Sequence, residues 1–100
     1  MKPINHPEPD KTYFCIATPA PMYKSEVIEA KKIIDFLDPV TGKQYQAQLE
    51  DMFWYPENLL SECICKMAFN KTAAEVRADV FRKYNLRTGQ EIAIIQYKKL

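Results

Sequence analysis

Ser25–Leu37 reads SEVIEAKKIIDFL, and its assignment decides the fold. Val27, Ala30, Ile34 and Leu37 fit a helical stripe, whereas Ile28, Ala30, Ile34 and Phe36 fit one face of a strand that Lys32 interrupts. The next residues arbitrate. Asp38–Lys43 (DPVTGK) is strong turn chemistry, with aspartate, proline and glycine together. After it Tyr45, Ala47 and Leu49 alternate with Gln44, Gln46, Gln48 and Glu50, the pattern of a half-buried strand. A strand entered from such a turn pairs with the segment before it. The reading is therefore a hairpin of 31–37 against 44–53, with a short helical turn ahead of it.

The flanks extend this frame. Thr12–Ala17 (TYFCIA) is aromatic and β-branched and predicts a buried strand, ended by Pro19 and Pro21. Residues 1–10 hold Pro3, Pro7 and Pro9 and read as an extended lead-in, leaving 11–100 as one domain. Pro56 opens a helix over about 57–68, with Leu59, Leu60, Cys63, Ile64 and Met67 in helical period. Thr72-Ala73-Ala74-Glu75 is a capping box that opens a second helix over 72–84, and Asn85 is a left-handed stop. Glu91–Tyr97 (EIAIIQY) is apolar on both faces, so it predicts a central strand.

Composition bounds the function. The chain has 100 residues, 47% hydrophobic and 27% charged, so it buries one modest core and is not disordered. Two glycines exclude a glycine-rich phosphate loop. A net charge of +1 excludes histone-like chains and leaves room for a local basic patch. No apolar run approaches the ~20 residues of a membrane span, and no partner membrane is expected. The lead-in lacks the apolar core of a signal peptide, and three cysteines fit no closed disulfide set, so the expected location is cytoplasmic.

Several constellations carry candidate chemistry. No metal or other cofactor is expected: Cys63-x-Cys65 lacks zinc-knuckle spacing, and the single histidine, His6, sits in the lead-in. Arg77, Arg82, Lys83 and Arg87 line the second helix and its exit, with Lys98 and Lys99 at the end of the chain and Tyr84 and Tyr97 as rings. Basic residues among aromatics suit single-stranded RNA or a nucleotide, against the plain alternative of a solvated helix face. Phe53-Trp54-Tyr55-Pro56 concentrates rings at a strand-to-helix corner, as a stacking pocket, a core plug or an anchor for a protein partner.

From Gln44 to Leu100, the order of a strand, an aromatic corner, a helical insert, a Thr-x-x-Glu helix and a closing apolar strand resembles the ASCH group of the PUA-like superfamily. The resemblance implies an α+β fold: a small, mostly antiparallel β-barrel with two helices. Within that group the chain is similar to small bacterial acetylcytidine amidohydrolases, which carry Gly-x-Lys-Thr-x-Thr-x-Arg before and along the first strand. Lys11 and Thr12 match the Lys-Thr pair and Glu75 the later glutamate, while Pro9, Phe14 and Ile16 replace the glycine, second threonine and arginine. If the chain is an enzyme, the resemblance makes Lys11 the activating cation or base and Glu75 its proton-transfer partner on an acetylated nucleoside. The leading expectation is a non-catalytic module that binds RNA or a nucleotide-like ligand in a barrel-mouth cleft. Lys11, Trp54, Tyr55, Glu75 and Arg77 would line it, with Arg82, Lys83 and Arg87 as further contacts. A protein-interaction module anchored on Phe53–Pro56 is the alternative from another class.

Overall fold

The computed structural model describes residues 3–20 and 31–100. Seven elements follow in order: β1 (Ile4–Asn5), β2 (Tyr13–Pro19), β3 (Ile33–Leu37), β4 (Gln44–Pro56), α1 (Glu62–Phe69), α2 (Ala73–Tyr84) and β5 (Glu91–Lys99). The strands form one curled, half-barrel sheet in the order β1-β3-β4-β5-β2. All pairs are antiparallel except β1 with β3.

The hairpin of β3 and β4 forms as expected, with Phe36 opposite Tyr45. Its turn is set by Asp38, whose carboxylate accepts from the backbone N–H of Val40 and Thr41. Gly42 supplies the required left-handed backbone at φ 75°. The ambiguous stretch is thus a strand from Ile33 onward, and residues 25–30 lie outside the described residues. The lead-in is more than a tail, because β1 adds to the sheet edge beside β3.

Alternation along the strands builds two cores. On the concave face Phe36, Tyr45, Ala47, Leu49, Ile95 and Tyr97 pack together, with Phe14 half-buried among them. Phe14 stacks on Tyr97 at 5.4 Å between centroids, and Phe36 stacks on Tyr45 at 5.2 Å. On the other face Ile92 and Ile94 meet Leu60, Cys65, Val76 and Val80 of the helical layer. β5 is central, as its double-sided apolarity predicts.

Two expectations are corrected. β4 does not stop at Phe53 but runs to Pro56, and a bulge between Leu49 and Asp51 shifts its register against β5. The extra residue changes the parity of the faces. Leu49 is concave before it, and Met52 and Trp54 are concave after it. Pro56 therefore ends a strand and does not begin a helix. α1 starts six residues later, where the Ser61 side chain accepts from the Ile64 N–H at 3.2 Å. With that start Leu59, Cys63 and Met67 are exposed, and the inward stripe is Leu60 and Cys65, both buried, with Ile64 and Ala68 partly buried beside them. α2 follows the prediction closely: its capping box is complete, and Asn85 ends it at φ 53°.

Candidate ligand-binding cleft

The helical layer does not seal β2 completely. A cleft of about 200 Å³ opens between β2 and α2, floored by Ile16, Ala17, Val76 and Val80 and rimmed by polar groups. Strand alternation turns Cys15 and Ala17 toward the helices, and helical spacing brings Val76, Val80 and Tyr84 to the same side of α2. Lys83 and Tyr84 form one end of the rim, with the Lys83 ammonium 5.4 Å from the Tyr84 ring centroid. Lys71 and Asp79 also line the cleft, and they pair with each other at 2.6 Å. Asp79 meets Arg82 as well, at 2.8 Å, so its charge is already balanced. Lys83 has no acidic partner among the ion pairs of the described residues, and the cleft is left with a positive rim.

His6 completes that rim. β1 brings it there: the His6 N–H donates to the Leu37 carbonyl at 3.0 Å, and the ring stacks on Phe14 at 5.3 Å. Tyr45 donates its phenol proton to the His6 carbonyl at 2.8 Å, and its oxygen lies 3.3 Å from His6 Nδ1. With the phenol proton so used, the network assigns the neutral ring's proton to Nδ1 and leaves Nε2 to titrate. Burial holds the His6 pKa below 6.5, and the nearby Lys83 charge adds to the lowering; the Pro7 carbonyl and Asp38 oppose it. The same surroundings push the Tyr45 phenol up to about 12, chiefly by burial.

Cys15 lines this cleft and a second, more apolar one of about 230 Å³ between α1 and the sheet, where it meets Phe53, Ile64, Met67 and Ile94. Burial pushes the Cys15 thiol up, so it stays protonated and is no activated nucleophile. Among the described residues no group of three His, Cys, Asp or Glu side chains could hold a metal ion.

The residues predicted from sequence are scattered. Lys11 is exposed in the bend before β2, and Glu75 is exposed in the first turn of α2. The Glu75 carboxylate accepts from the Thr72 N–H and hydroxyl, both at 3.1 Å. These bonds hold its pKa down, and Lys11 is not among the groups that act on it. Trp54 and Tyr55 fall on opposite faces of β4. Trp54 is concave and 40% exposed, with its indole N–H directed at the Met52 sulfur. Tyr55 packs under the helices. The Phe53–Pro56 corner is thus a strand end, and Trp54 does not pack on Leu60 and Ile64.

The basic residues do not form one face either. Arg82 and Lys83 stand about 140° and 120° from Arg77, in opposite senses around the helix. Arg77 pairs with the buried carboxylate of Glu57 and lies 4.5 Å over the Phe81 ring. That pairing holds the Glu57 pKa down. Arg87 is exposed in the turn before β5, where its N–H donates to Gln90 at 2.7 Å. Tyr97, read as a stacking ring, is fully buried in the concave core. Of the residues singled out in the sequence as ligand contacts, Lys83 and Tyr84 line the β2–α2 cleft. His6 carries no local signal in the sequence, because its placement depends on the long-range β1–β3 pairing.

No family model, curated protein or solved structure matches the chain. No helix among the described residues is long and apolar enough to cross a membrane.

Proposed function

We propose that the protein is a non-catalytic binding module for a nucleotide-like anion, single-stranded RNA included, and that the β2–α2 cleft is its site. The observation that carries this reading is the pairing of an apolar cleft with the Lys83 ammonium and Tyr84 ring on its rim. An aromatic face accepts a base of any sequence, and an ammonium without an acidic partner accepts a phosphate. The reading moves the site from the barrel mouth to the helical face, because Trp54 and Glu75 have no part in this cleft. The order of β4, α1, α2 and β5 also supports a PUA-like assignment of ASCH type. Three free thiols support a reducing, cytoplasmic setting.

The test is fluorescence anisotropy of a labelled octauridylate at low ionic strength. Affinity should fall with salt, by about 0.7 in the slope of log affinity against log salt for each phosphate contacted. Lys83→Glu should weaken binding by tenfold or more, from the ~1.5–3 kcal/mol of a charged hydrogen bond, and Arg87→Glu should have little effect. Undetectable binding in low salt removes the proposal.

A further inference from the structure

We infer that His6 and Lys83 form a two-point phosphate grip whose second point is switched on by a proton, so that the cleft holds a phosphorylated nucleoside more tightly as the pH falls. The inference rests on the ligand class proposed above and adds the residue that regulates it. Both side chains line one small cleft, and they come from distant parts of the chain, β1's exit and the last turn of α2. Each can carry a positive charge, and they lie close enough for Lys83 to oppose protonation of His6. Two cationic groups brought together over an apolar floor repel each other until an anion stands between them.

The groups facing His6 are few. Phe14 of β2 stacks on one side of the ring. From β4, Tyr45 holds Nδ1, which leaves Nε2 as the atom that gains the proton. From α2 comes Lys83, and from the β3–β4 turn comes Asp38. Asp38 is occupied by backbone N–H groups of Glu8, Val40 and Thr41, and Glu8 itself pairs with Lys43 at 3.1 Å. Lys71 and Asp79, elsewhere on the rim, neutralise each other. An arriving phosphate therefore adds the main uncompensated negative charge in the neighbourhood. It cancels the Lys83 repulsion and makes the imidazolium favourable. By linkage, the ligand raises the His6 pKa, and protonation of His6 raises affinity for the ligand to the same degree.

The experiment uses the full chain and the dinucleotide UpU, whose phosphodiester keeps one negative charge across the whole range. The chain has a single histidine, so one C2-proton NMR resonance reports its titration. In the free protein the midpoint should lie below 6.5. Saturating UpU should raise it, and UpU affinity measured calorimetrically should gain about tenfold for each unit of that rise. Lys83→Ala should raise the midpoint of the free protein, because the repelling charge is gone, and should weaken UpU binding. UpU binding with an unmoved His6 midpoint overturns the grip and leaves the ligand reading standing. An unmoved free midpoint in Lys83→Ala overturns the pairing itself. No UpU binding at either pH 5.5 or pH 7.5 removes both the grip and the nucleotide reading.

Discussion

Deleting Glu50 should be nearly harmless, whereas deleting Phe53, three positions on, should unfold much of the domain. Glu50 is the surplus residue of the β4 bulge: Leu49 stands opposite Tyr97 and Asp51 opposite Gln96, which are already consecutive. Removing it joins two residues that fit an unbroken ladder. Met52 and Trp54 keep the concave face, and Phe53 and Tyr55 keep the helical one. The losses are the Lys31–Glu50 ion pair, whose lysine is exposed, and some local strand twist. Deleting Phe53 has no such remedy. Either Trp54 and Tyr55 exchange faces, or the bulge is spent and Asp51 turns into the concave core while Met52 leaves it. At ~1.5–3 kcal/mol for each large apolar side chain displaced, two displacements cost about 3–6 kcal/mol. That is a large part of the stability of a small domain. In urea, with a slope of ~1–3 kcal/mol/M, the Phe53 deletion should lower the midpoint by more than about 1 M, and the Glu50 deletion by well under half of that. Equal losses in the two deletions would refute the assignment of Glu50 as the extra residue.

Further outcomes are expected elsewhere. Thr72→Ala should cost about 1 kcal/mol in chemical denaturation through its lost cap, whereas Glu75→Gln should leave the thermal midpoint almost unchanged. His6 has a lowered pKa, so the unfolded chain binds more protons than the native one; thermal stability should begin to fall as the pH drops below 6.5, ahead of the carboxylates. Asp38, held below its usual range chiefly by the backbone N–H groups of Glu8 and Val40, should add to a second loss below about pH 4, which Asp38→Asn makes smaller. Trp54 is the only tryptophan and faces the concave side, so acrylamide should quench its fluorescence while UpU in the β2–α2 cleft should not. UpU quenching of Trp54 would place the ligand on the wrong face of the sheet.

The parts of the fold legible in sequence are those written by neighbours in the chain. The turn at Asp38–Gly42, the Thr72–Glu75 cap and the Asn85 stop each depend on a few consecutive residues, and each forms as read. The β4 extension was hidden because Phe53, Trp54 and Tyr55 are all aromatic, so no alternation marks a strand. The bulge before them also changes the period. Pro56 then offered a false helix start, since nothing local distinguishes it from a strand end paired with Glu91. The cleft was half legible. Lys83 and Tyr84 stand out as a basic and an aromatic neighbour, but His6 joins them only after β1 has found β3 and Phe14 has met the imidazole.

The central place of β5 has a consequence for how this chain comes off the ribosome. The β3–β4 hairpin, the capped helices and β2 are all translated before it. Yet the backbone ladder reaches from β4 to β2 only through the strand that emerges after them. Until Glu91–Lys99 arrives, β4 carries an unsatisfied ladder edge, and the apolar faces of both helices lack the isoleucines they cover. Local pieces can form early, but the pairing of Ile16 with Ile95 is among the most distant in sequence and must come last. Until Glu91–Lys99 has emerged, nascent chains therefore expose the open ladder edges of β4 and β2, and a stall just before Glu91 would leave the two strands without the ladder that joins them.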